Sequence, residues 1–233
     1  MVAECADVTA PRRLRAVLVA IVVACAVGGC TQSVDGEPVA ASGSSAAGDI
    51  DRLTISPREF PAGYPATRLP SAQAGEVLED LSGRPNGGSV TPSDCLPPAL
   101  VQDSARTVVV TGQSTSGGNL TVVVTRAQSP LADLADAVAR CGSYSMDVGA
   151  VRSTVTAQVL PPSPIDSQES LAFRRTSTSG RAPVTIAQTT TVLAAQNDGV
   201  RVYAAYVAFS GAPLDGAALD AVFTTAVARS RGR

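Results

Sequence analysis

Five cysteines are the groups in this chain best suited to covalent chemistry. Cys5, Cys25 and Cys30 fall near the start, and Cys95 and Cys141 stand far apart later on. A thiol acts as a nucleophile or metal ligand once deprotonated, and what it then does depends on its helpers. Two helpers are missing. The chain has no histidine, and all 18 basic residues are arginine. Without His there is no Ser-His-Asp or Cys-His relay. Without Lys there is no Schiff base, no Ser-Lys dyad and no P-loop. Zinc sites are built chiefly from Cys and His, so no metal and no cofactor is expected. Two chemistries survive: glycoside hydrolysis by a carboxylate pair and an oxygen-only calcium site.

The setting of Cys30 is specific. Pro11-Arg12-Arg13-Leu14-Arg15 gives a basic start, and Ala16 to Gly29 reads AVLVAIVVACAVGG. A membrane span needs roughly 20 apolar residues. A basic start, a shorter apolar middle and a small-residue exit read instead as a secretory signal. The exit, Val27-Gly28-Gly29-Cys30, resembles the lipobox of bacterial lipoproteins. That resemblance implies that Cys30 takes a diacylglycerol on its thiol and becomes the first residue of the mature chain. Residues 1–29 would then be the signal peptide, and Cys5 and Cys25 would leave with it. The expected location is the outer face of the cell membrane, held by acyl chains that each contribute about 0.8 kcal/mol per buried CH₂.

Removing residues 1–29 moves the formal charge from −2 to −3. No basic stripe remains for nucleic acid. Residues 30–51 are small, polar and free of aromatic residues, and such a composition cannot bury enough surface to offset ordering entropy. They read as a flexible tether. Cys95 and Cys141 are the cysteines left in the folded part. In an oxidising compartment they are expected to pair as a disulfide.

Other candidates are weaker. Asp133 and Asp136 lie one helical turn apart, and Glu76, Glu79 and Asp80 cluster; both groups read as solvated helix faces. Arg174 and Arg175 could clamp an anion, but neighbours on a strand point to opposite faces, so at most one would face a given pocket. Tyr144, Tyr203, Tyr206 and Phe209 could line an apolar pocket. The ligand-binding candidates are therefore Tyr144, Arg174, Tyr203 and Tyr206.

The elements that must position these residues follow from pattern. Leu53, Ile55, Phe60 and Tyr64 sit among Pro57, Pro61 and Pro65, an extended, proline-stiffened approach. Ser71 is expected to cap a helix over residues 72–81, with Val77, Leu78 and Leu81 inward and Gly83 as its stop. GRPNGGS, residues 83–89, reads as a loop. TVVVT and LTVVVT, around STSGGN, predict a hairpin. Ser129-Pro130 predicts a cap and first turn for a helix carrying Leu131, Leu134, Ala135 and Val138 and ending at Cys141-Gly142. Residues 144–160 predict a strand or strand pair, 171–177 a weaker strand and 184–195 a long one. Asn197-Asp198-Gly199 predicts a tight turn. Residues 200–209 are apolar on both faces, as in a central strand with cover on each side. Asp215 is expected to cap a last helix with Leu219, Val222, Phe223, Ala226 and Val227 as its stripe. Hairpin connections imply an antiparallel sheet with helices packed on it, an α+β domain over residues 52–233.

SPREFPAGYPATRLP (residues 56–70), TPSDCLPP (91–98) and the helix running into Cys141-Gly142 resemble small mycobacterial and actinobacterial lipoproteins carrying a domain of unknown function. These in turn resemble the extracellular sensor domains of mycobacterial serine/threonine kinases, which have two disulfides where this chain can form one. The resemblance carries over no catalytic residues and implies that a sensory role would act through a partner. Three readings stand. The first is a non-enzymatic, lipid-anchored envelope protein that takes an apolar or lipid-like ligand in a groove between sheet and helices. The second is a module docking onto another envelope protein. The third is a carboxylate-dependent hydrolase.

Overall fold

The β-branched runs build the first hairpin of the sheet. In the computed structural model, β3 (Thr107–Gln113) and β4 (Asn119–Arg126) pair antiparallel with Val108 opposite Val124 and Val110 opposite Val122. Thr107 and Thr125, and Thr111 and Thr121, stand directly across from each other, and their hydroxyls bond at 2.7 and 3.0 Å. Such cross-strand pairs fix register. The structure describes residues 49–101, 106–115, 117–127, 129–181, 183–209 and 211–232, all within one compact unit. The expected signal peptide over residues 1–29, Cys30 with its expected lipidation, and most of the expected tether lie outside them.

Seven further strands complete one antiparallel sheet in the order β1-β3-β4-β9-β8-β7-β6-β5-β2. They are β1 (Ala66–Arg68), β2 (Ser89–Thr91), β5 (Ser143–Val148), β6 (Val151–Leu160), β7 (Glu169–Arg181), β8 (Val184–Asn197) and β9 (Val200–Phe209). The turn from β8 to β9 has Asp198 and Gly199 at φ 49° and 72°. Two consecutive left-handed residues give a twist matched to a two-residue hairpin. The α+β reading holds. The edge strands β1 and β2 escape the sequence pattern because each is three residues long and lies in proline- or glycine-rich surroundings.

Strand β9 is the hub, buried from Val200 to Ala208. Its even-numbered residues join one core layer with Ile50, Ile55, Phe60, Tyr64 and the apolar stripe of α3 (Gly216–Ser230). Tyr203, Ala205 and Val207 join the other, under α1 (Ser71–Ser82) and α2 (Leu131–Arg140). Asp215 caps α3 as expected, accepting from the Ala218 N–H at 3.0 Å, and also accepts from Tyr64 OH at 3.0 Å.

Three expectations need correction. Ile50 is buried in the first core layer and residues 49–52 are helical, so the fold begins inside the stretch assigned to the tether; one isoleucine is too faint a signal against that polar composition. Ser71 is not a cap: α1 begins at Ser71 itself, after Pro70, whose carbonyl accepts from the N–H groups of Gln73 and Ala74. Nor does Ser129 cap α2. The Glu169 carboxylate, delivered from β7, accepts from the Leu131 N–H at 2.7 Å. A negative charge at a helix N-terminus satisfies an orphan donor and meets the positive end of the dipole.

Candidate ligand cavity

The α1/α2 face of the sheet holds a walled cavity. Strand alternation puts Tyr144, Ala157, Phe173 and Arg175 on this face, since Tyr144 is opposite Val155 and Ala157 is opposite Arg175. The inner side of α2 supplies Leu134, Ala137 and Val138, and the segment around Leu96, Pro97 and Pro98 forms the remaining wall. The cavity volume is about 170 Å³, and the cavity is partly open to solvent.

The Cys95–Cys141 disulfide holds this wall in place, with Cα atoms 5.4 Å apart. It ties the short 3₁₀ turn Ser93–Cys95 to the end of α2. Both sulfurs are buried beside Val90, Tyr144 and Val155 in a small core of their own. The proline pair after Cys95 cannot continue the turn as a helix, so the chain runs on as an extended strap.

Arg175 closes the inner end. It is only 9 % exposed. Its Nη1 donates to the Ser82 carbonyl at 2.6 Å, and its Nη2 donates to Leu81 and Asp80 carbonyls at 2.9 and 3.2 Å. These are carbonyls of the last turn of α1, so the guanidinium caps the negative end of that helix. Burial lowers its pKa, which the nearby Tyr144 and Asp80 partly offset. Burial raises the Tyr144 pKa, and the charge of Arg175 pulls it back.

The four ligand-binding candidates do not meet. Tyr144 lines this cavity. Tyr203 lies beneath it as a brace: its OH donates to the Leu100 carbonyl at 3.1 Å and accepts from Arg201 Nη1 at 3.1 Å. Arg174 and Tyr206 lie on the opposite face, in a wider and more open groove of about 390 Å³ shared with Thr176, Thr189 and Thr191. Phe209 is 46 % exposed and lines neither. The residue that matters, Arg175, is the one the sequence left beside its neighbour. Strand parity with Phe173 was the available signal, but Leu171 and Ala172 are both apolar, so neither face of β7 declares itself inward.

Asp133, Asp136, Glu76, Glu79 and Asp80 are all exposed. Among the described residues no three His, Cys, Asp or Glu side chains converge on a metal position, and no helix is long and apolar enough to cross a membrane.

The profile of a domain of unknown function, DUF5642, matches residues 49–227. The chain belongs to this family. The DUF5642 match covers the whole sheet and nearly all of α3, so the cavity lies within it. No curated protein matches the chain. Among solved structures it is similar to an uncharacterised protein of Mycobacterium smegmatis, an Rv0999 ortholog, at 16% identity and TM-score 0.45, over 79% of this chain and 96% of that one. It is also similar to the extracellular domain of PknH from Mycobacterium tuberculosis, at 10% identity and TM-score 0.42, over 78% of this chain and all of that one. At this distance neither carries a function over to the chain.

Proposed function

We propose that this DUF5642 chain is an exported, lipid-anchored envelope protein whose domain binds a small apolar ligand in the cavity beneath α2. The observation that carries the ligand reading is the cavity itself: apolar walls from Leu134, Val138 and Phe173, held by a disulfide and a proline strap. A pocket of this kind, mostly apolar with a few fixed polar groups, suits a small molecule. The domain acts by binding, with no catalytic step. Anchoring rests on the basic start, the apolar run and Val27-Gly28-Gly29-Cys30.

One observation favours a docking module as the second reading. Val148, Val151, Val184, Ile186 and Phe209 are all exposed. Their pairing, with Phe209 opposite Gln188 and Ser179 opposite Ile186, puts them on one face beyond the helices. Exposed apolar side chains gathered on one sheet face are a candidate contact surface.

Native mass spectrometry of the full-length protein from an actinobacterial host, beside a Cys30→Ala control, tests both halves. The proposal expects a chain starting at Cys30 with added acyl mass, and a further non-covalent mass that the control keeps. An unmodified chain would contradict the anchor. A lipidated chain with an empty domain would favour docking.

A further inference from the structure

We infer that the ligand of this cavity is a small amphiphile with a carboxylate head, held by Arg175 and Tyr144; this rests on reading the cavity as a ligand site. A buried cation normally has a carboxylate partner, because an unpaired buried charge is costly. Arg175 has none among the described residues. Asp80, whose charge reaches it, is exposed and offers it only a backbone carbonyl. The carbonyls of α1 accept three hydrogen bonds. A guanidinium has five N–H donors, so two are left with no acceptor among the described residues. The α1 terminus carries about half a negative charge and Asp80 adds its charge from beyond ion-pair distance, but no carboxylate oxygen bonds to the guanidinium among the described residues.

A second donor sits on the same cavity. Tyr144 is buried, lines the cavity with Arg175, and its hydroxyl bonds to no described residue. The rim adds no net preference, since exposed Asp94 and Arg140 carry opposite charges there. The cavity thus has largely apolar walls, with a buried guanidinium and a phenol hydroxyl, neither bonded to a carboxylate among the described residues, in its lining. A carboxylate supplies acceptor lone pairs for both groups, and charge-assisted bonds of this kind are the strong ones. The volume sets the tail. A cavity of about 150 Å³ takes up benzene, so about 170 Å³ suits a head plus roughly five or six carbons.

The test is calorimetric titration of the full chain, as the Cys30→Ala variant, with hexanoate and with its neutral counterpart hexanamide. Hexanoate is expected to bind at least about tenfold more tightly, one charge-assisted hydrogen bond's worth. Arg175 also holds the end of α1, so its removal could unfold the domain. Tyr144→Phe keeps the ring and its packing, and is expected to weaken hexanoate by roughly three- to tenfold and hexanamide by less, since the bond to the carboxylate is the charge-assisted one. Equal affinity for the two probes would overturn the carboxylate head and leave the apolar cavity standing. Binding of neither would overturn both.

Discussion

Gly83 and Arg175 share one space. A Cβ on residue 83 would overlap the guanidinium of Arg175, which holds the carbonyl of Ser82 at 2.6 Å from a strand 93 residues away. Gly83 also sits at φ 74°, in the left-handed region. The helix stop, the buried cation and the inner wall of the cavity are thus one feature. Gly83→Ala is expected to destabilise the fold by about 2 kcal/mol or more, from left-handed strain plus displacement of Arg175. Urea unfolding should show a lower midpoint with little change in slope. A neutral result would mean that the guanidinium moves aside freely.

The disulfide closes a loop spanning a sequence separation of 46. Loop-closure entropy alone gives roughly 4 kcal/mol for that span. Cys95→Ala with Cys141→Ala is expected to lose up to about this much, and to lose hexanoate binding before global unfolding, because the strap at Leu96 to Pro98 is released. Denaturation and titration of the double variant check both effects.

Tyr203 braces the strap from beneath. Tyr203→Phe leaves the Leu100 carbonyl without its donor and removes an acceptor from buried Arg201. The expected cost is about 1–3 kcal/mol, that of unsatisfied buried polar groups. Thermal unfolding of the variant measures it, and an unchanged midpoint would show the brace to be idle.

The architecture was largely legible in the sequence, and the site much less so. Residues 200–209 announced a central strand because alternate positions are apolar on both faces, and Asn197-Asp198-Gly199 announced its turn. The two helix starts failed for a local reason. Ser71 and Ser129 have the right chemistry, but Pro70 and Pro130 occupy the cap positions, and the donor at Leu131 is satisfied by Glu169, 38 residues away. A partner that distant leaves no local pattern. Arg175 escaped for the same reason: its three acceptors are backbone carbonyls of another element, which carry no side-chain signature. Tyr144 was legible as a candidate. Arg174 and Tyr206 were not separable from it until the strand register put them on the opposite face.

Alkaline pH should loosen the fold. Burial is the main cause that raises the pKa of Tyr64, Tyr144 and Tyr203; hydrogen bonding to Tyr206 and Asp215 adds to it at Tyr64, while Arg175 and Arg201 oppose it at the other two. A raised folded pKa means the folded state holds its proton more tightly than the unfolded state. The stability from these groups is complete below the unfolded tyrosine value of about 10 and is lost as pH rises past it towards the folded values. Phenolate absorbance should therefore lag in the native protein and appear together with loss of structure. Early, unfolding-independent ionisation of these three would contradict the burial argument.

Amide chemical-shift mapping on the isotope-labelled Cys30→Ala chain, with hexanoate added, addresses the cavity most directly. Shifts are expected to gather at Ala137, Tyr144, Ala157 and Phe173, on both the helix and the sheet walls of one cavity. Shifts gathered instead at Thr176, Thr189 and Tyr206, or none at all, would contradict the assignment of that cavity as the ligand site.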